Sequence, residues 1–265
     1  MIGFMRGRTI GLGAALAIPS LALAQSFAPR GSQIFEVAAV KPTPPNTKGT
    51  GVRPAPGGKR YAGSGIPLRS YLYVAYQVRP EQIAGGPSWM DNELYDLNAE
   101  ADQPTSIENL HIMLQNILTD RFRLQFHFEK KEMQAYTLTV DKNGPKNLTA
   151  HPNPSAGEVV LDQSLGPGLN NWHAHCASMD FFTWRLSQTL PDPIINQTGL
   201  EGCFDFDLNF VREQFPVTPV MPTIEAVVGP SIYDALKNQL GLKLESKKAP
   251  VEVMVIDHAE RPTAN

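Results

Sequence analysis

Two short runs carry the residue types that could do chemistry. His173-Ala174-His175-Cys176 sets two imidazoles two positions apart, and in an extended strand both leave on the same side. Imidazole with thiolate suits zinc, but such a site needs a third and usually a fourth ligand. No neighbouring motif supplies one, so no metal and no cofactor is expected. Ordinary residues on a strand leading into a helix account for the run equally. Asp205 and Asp207, in CFDFDLNF, also share one strand face. Paired carboxylates there could move protons or hold a hard cation. Phe204, Phe206, Leu208 and Phe210 take the opposite face, the pattern of a half-buried strand with a wet outer side. An exported hydrolase is favoured only if His173, His175, Asp205 and Asp207 converge in a single deep pocket.

The remaining motifs are weaker. No G-x-S-x-G elbow, H-E-x-x-H or C-x-x-C is present. Ser64 in AGSGIP and Ser88 in GGPSW lack the strand–turn–helix setting of a nucleophile, and PAPGGKR lacks the first Gly and the final hydroxyl of a phosphate loop. No catalytic residue is assigned. Trp89 follows Pro87 on a Gly-Gly-Pro-Ser loop. An aromatic so presented could anchor a partner, so Trp89 and Pro87 are the expected partner-binding residues; plugging the end of a sheet is the alternative. The sequons at Asn147 and Asn196 are read as accidental.

These residues sit in a chain of 265 residues, 42% hydrophobic and 18% charged, enough for one large domain or two small ones. The 23 Pro and 21 Gly predict many loops between short elements. MIGFMRGR, an apolar run to Leu21 and Ala22-Leu23-Ala24 form a signal peptide over 1–24, with cleavage near Ala24. Residue 25 is Gln, so a lipid-bearing Cys is absent there. No later stretch reaches the roughly 18 apolar residues of a transmembrane helix. The mature chain is expected in the periplasm or outside the cell. Net charge is −3, and losing Arg6 and Arg8 makes it more acidic, which argues against nucleic acid. Export places Cys176 and Cys203 where disulfides persist. A bond between them would contribute about 3.5 kcal/mol in the chain-entropy model; two unrelated buried thiols are the alternative.

The elements that must position these residues read as α+β, in two pseudo-repeated halves. Each is a leading strand followed by two helix–β-hairpin units, with sheet on one side and helices on one face. In the clearest unit, Thr105-Ser106-Ile107-Glu108 is a capping box before a helix with the stripe Ile107, Leu110, Leu114, Ile117 and Leu118. From Phe122 the period becomes two, a turn is expected at Lys130-Lys131-Glu132, and Tyr136, Leu138 and Val140 return. The last unit repeats this: Ser231 and Asp234 cap, Gly241 ends the helix, and Lys247-Lys248 turns the hairpin. Weaker copies begin at Pro67 and at Ser178. The halves span 33–146 and 158–261, joined by a linker at 147–157; one compact domain over 33–261 is the alternative. Long loops precede the first helix and the last one, and both are expected to be mobile.

FEVAAVKP, YQVRPEQIAGGPSWMDNELYDLNAEA, MLQNILTDRFRLQFHFEKKEMQAYTLTVDKNGPK, TGLEGCFDFDLNF and LGLKLESKKAPVEVMVIDHAERP together resemble a large family of exported bacterial proteins, prominent in acidobacteria and described as a domain of unknown function. The resemblance covers nearly all of the mature chain. It implies an envelope or secreted location and no established activity. Some relatives carry the domain on a membrane metallopeptidase of the antibiotic-sensor type, which implies sensing, but no such segment is present here. The helix–hairpin units also look like the short N-terminal domains of secretins and TonB-dependent receptors, which dock to envelope proteins. The expectation is a non-catalytic envelope protein binding a protein or cell-wall component.

Overall fold

The computed structural model describes residues 33–54, 58–151, 158–166, 169–211 and 229–262. The expected signal peptide at 1–24 and most of the long loop before the last helix lie outside these. In chain order the elements are β1 (Val37–Pro42), β2 (Arg53–Pro54), β3 (Arg60–Pro67), α1 (Leu68–Ala75), β4 (Ile83–Gly85), α2 (Trp89–Asn92), β5 (Leu94–Glu100), α3 (Ile107–Arg121) and β6 (Gln125–Val140). Then come β7 (Thr149–Ala150), β8 (Glu158–Gly166), β9 (Leu169–Ser178), α4 (Met179–Ser187), β10 (Ile194–Asn196), β11 (Cys203–Val211), α5 (Ile232–Ala235), a π turn at Leu236–Leu240, and β12 (Leu242–His258). The fold is α+β, with three four-stranded sheets ordered β1-β5-β3-β2, β10-β6-β12-β4 and β7-β11-β9-β8.

None of the four expected hairpins forms. β6 runs without a turn through Lys130-Lys131-Glu132, and β12 runs through Lys247-Lys248. The two long strands instead pair with each other, antiparallel, from Leu242 opposite Val140 to His258 opposite Gln125. The reason is turn chemistry. Neither Lys-Lys stretch offers the Gly, Asn or Asp that a tight hairpin demands, whereas a long partner strand satisfies the inward-facing amides along the ribbon. The short strands part from their expected mates as well. β4 joins β12 in parallel, with Ile83 opposite Met254, while β10 joins β6 in parallel, with Ile194 opposite Tyr136. Each half thus lends a short strand to the long strand of the other, and the central sheet interlocks them.

The outer sheets retain part of the repeat. β3 and β5 pair antiparallel, as β9 and β11 do. The leading strands differ: β1 lies beside β5, but β8 lies beside β9. One continuous apolar core joins both halves, from Tyr71, Leu110 and Phe122 to Trp172, Phe182 and Leu236. Helix ends follow their caps. Ser106, Ser178 and Ser231 accept hydrogen bonds from the amides of Asn109, Phe181 and Asp234. The first of these caps is one residue later than the expected box. The segment 147–151 is fixed rather than free: Thr149 and Ala150 pair with Asp205 and Phe204 as β7. The early loop is also tied down where described, because Thr43 Oγ1 donates to Asp96 at 2.8 Å and the Thr50 amide donates to the Ser64 carbonyl at 2.9 Å.

Candidate functional site

Alternation along β9 buries Asn170, Trp172, Ala174 and Cys176 and turns His173 and His175 outward. On β11, Phe204, Phe206, Leu208 and Phe210 face inward while Asp207 is exposed and Asp205 half-buried. Register sets Asp207 opposite His173, and the carboxylate bonds that ring at Nδ1. A bulge between Phe204 and Phe206 shifts the ladder, and Asp205 meets His175 Nδ1 at 3.2 Å through Oδ1. The four residues therefore make two pairs on an open strand face. They do not converge in the deep pocket that a hydrolase would need.

The structure adds a residue that the sequence left unconnected. His151 follows β7, and its amide donates to the Cys203 carbonyl at 2.9 Å. This places His151 Nδ1 at 2.9 Å from Asp205 Oδ2. The His151 and His175 rings meet edge to face with centroids 4.4 Å apart. Ligand atoms of His151, His175 and Asp205 all lie within 4.8 Å of one another, the one such group among the described residues. The Cys176–Cys203 disulfide forms as expected, with Cα atoms 4.6 Å apart, and ties β9 to β11 beside this cluster. The Cys176 amide donates to Asp205 Oδ1 at 2.7 Å. Partial burial works against the Asp205 carboxylate's charge, but bonds from His151 and the Cys176 amide, with both imidazoles nearby, outweigh it and hold its pKa below the usual range.

Trp89 occupies a different corner. Its half-buried ring stacks on Phe122, with centroids 6.2 Å apart, and meets Tyr95 edge-on. The Arg261 guanidinium covers the ring at 5.3 Å and bonds Glu93 through Nη2 at 2.6 Å and Nε at 2.9 Å. That bond, ahead of the opposing desolvation, lowers the Glu93 pKa. Pro87 is half-buried beside it. The ring's partners are thus within the chain, which fits closure of the core end.

A cleft of about 360 Å³ opens over the first sheet. Ala39, Ala62, Gly63 and Thr50 line it, together with Lys41, Arg60 and Asn98. Asp96 crosses from Lys41 in register, but its Oδ1 already accepts from Ser64 at 2.7 Å, Thr43 at 2.8 Å and the Gly65 amide at 2.9 Å. Desolvation raises the Asp96 pKa, and these three donors more than offset it, leaving the carboxylate ionised well into acid.

This α+β chain belongs to the family described as protein of unknown function (DUF3738), whose model matches residues 69–259. No curated protein and no solved structure matches it. No helix among the described residues is long and apolar enough to cross a membrane. His151 carried no periodic or motif signal, lying in a Pro- and Asn-rich stretch. A lone His at this position could be found only through the pairing of β7 with β11.

Proposed function

We propose that the protein is a non-catalytic, exported envelope protein that takes a carboxylate-bearing partner in the cleft over the first sheet. The observation that carries this reading is the cleft itself: small residues on β1 and β3, the two strands that flank β5, leave a concavity, and the exposed cations Lys41 and Arg60 border it. Cation–carboxylate bonds are stronger than neutral ones, and a few placed polar groups over an apolar floor are the usual make-up of a recognition site. Asp96 Oδ1 is taken up by Ser64, Thr43 and the Gly65 amide, and Lys41 forms no ion pair among the described residues, which leaves its ammonium to meet a ligand. Cell-wall glycopeptides and acidic segments of envelope proteins both carry the required carboxylates.

The test uses the purified chain in two formats, sedimentation with isolated cell-wall sacculi and crosslinked enrichment from envelope extract. The Lys41→Ala/Arg60→Ala variant runs beside the wild type in both. Retention on sacculi that falls at least tenfold in the variant, about 1.4 kcal/mol, supports a cell-wall ligand. Loss of one specific crosslinked protein supports a protein partner, and a membrane peptidase in that position would make the chain its sensing domain. Equal behaviour of variant and wild type in both formats would sink the cleft reading.

A further inference from the structure

We propose that His151, His175 and Asp205 bind one divalent first-row transition-metal ion, with zinc the best match to the ligand set. Two imidazoles and one carboxylate suit zinc and its neighbours, and three protein ligands leave a position for water or a partner's group. Geometry supports this beyond mere proximity. Tetrahedral zinc with bonds of about 2.0–2.1 Å needs ligand atoms about 3.3 Å apart. The two imidazole nitrogens lie at 2.9 Å and 3.2 Å from separate oxygens of the one carboxylate. A small outward shift of these groups accommodates an ion.

The groups are also held before any ion arrives. His151 is fixed by its amide bond to Cys203, Asp205 by the Cys176 amide, and the strands bearing His175 and Asp205 by the disulfide. Cys176 adjoins His175 and Cys203 lies two residues before Asp205, so their bond fixes the spacing of the ligands rather than contributing one. The His151 side chain is 12% exposed and that of His175 is 50% exposed. The site is therefore closed on one side and open on the other, which gives an ion a path in. Supporting bonds of this kind to the ligands are what orient metal sites generally.

The experiment titrates zinc(II) and cobalt(II) into the untagged, disulfide-bonded protein after chelator treatment. It follows heat of binding, thermal midpoint and the cobalt absorption spectrum. One ion per chain, a raised midpoint and a tetrahedral or five-coordinate cobalt spectrum are expected. His175→Ala, at an exposed position, should weaken binding at least tenfold while circular dichroism and the disulfide stay intact. His151→Gln should do the same. His127→Ala removes a half-buried imidazole elsewhere on the surface that bonds two carboxylates, Asp257 and Glu129, and should leave binding unchanged. No saturable binding by the wild type overturns the proposal. So does binding that survives His175→Ala and His151→Gln, or that disappears with His127→Ala.

Discussion

Arg79 of the first half donates from Nη1 to the carbonyl of Leu190 in the second half, at 2.8 Å. The same guanidinium bonds Pro191 O from Nη2 at 3.1 Å and Ser187 O, the last residue of α4. One side chain thus satisfies carbonyls that a helix end leaves without partners, and its charge suits the negative end of the helix dipole. Close by, Trp184 Nε1 donates to Val78 O at 3.3 Å, so the contact between halves is polar as well as apolar. Arg79→Ala should cost about 1–3 kcal/mol, because several part-buried acceptors lose their donor. Arg79→Lys should recover only part, since an ammonium cannot fork across them. Urea unfolding would check this, and a loss under about 0.5 kcal/mol for the alanine variant would show the clamp to be incidental.

The helices before β6 and β12 end in the same backbone conformation with different residues. Arg123 has φ 47° and Gly241 has φ 64°, both in the left-handed region that favours glycine. A Cβ at Gly241 would lie 2.2 Å from the Gly144 carbonyl oxygen. Gly241→Ala should therefore destabilise by about 2–4 kcal/mol, combining the strain with a clash against backbone. Arg123→Gly should stabilise by up to about 0.5 kcal/mol, because the relieved strain outweighs the freer unfolded chain and the loss of a weak, exposed ion pair with Asp120. Thermal melts of the two variants should move in opposite directions.

His111 lies buried between α3 and α4, with ring centroids 5.9 Å from Tyr61, 6.3 Å from Phe181 and 6.2 Å from Trp184. Desolvation among these rings pushes its pKa down to about 4. An unfolded histidine titrates near 6.5, so the neutral ring's contribution is complete above that pH and is lost as pH falls towards 4. The full span corresponds to about 3 kcal/mol. Urea midpoints measured from pH 7.5 down to 4 should fall steeply for wild type and less so for His111→Gln. Parallel slopes would rule out this histidine as the cause.

Much of the local structure was legible because it is decided locally. Serine caps, the stripe of α3, the alternation of β9 and β11 and the cysteine pairing all express short-range chemistry or a small choice of partners. The hairpins were not legible, because alternation with period two is the same whether a strand turns back or runs on. What decides is a partner distant in sequence, and only weak turn chemistry at Lys130-Lys131 and Lys247-Lys248 argued against a turn. The site failed in a similar way. His175 and Asp205 were visible as strand residues, but His151 joins them through the two-residue strand β7. Arg261 likewise reaches Trp89 from the end of the chain, where no periodicity points to it.

The long ribbon offers the most direct check of how the halves interlock. Lys130 and Glu252 stand opposite each other in its ladder, and both are exposed. In two separate hairpins these positions would belong to different units with no reason to meet. Replacing both with cysteine should yield a second disulfide under mild oxidation, found by peptide mapping without reduction beside the native Cys176–Cys203 bond. Directly opposed residues on antiparallel strands have Cβ atoms about 4.5–5.5 Å apart, within the adjustment that a disulfide near 3.8 Å requires. Because the bond would close a loop of over a hundred residues, chain entropy alone gives about 4–5 kcal/mol of stabilisation, less whatever strain the geometry adds. A Lys130→Cys/Lys247→Cys pair, offset along the ribbon, should stay reduced under the same conditions. Crosslinking of the offset pair alone would mean a different register between β6 and β12, and no crosslink in either pair would mean that the two Lys-Lys segments turn after all.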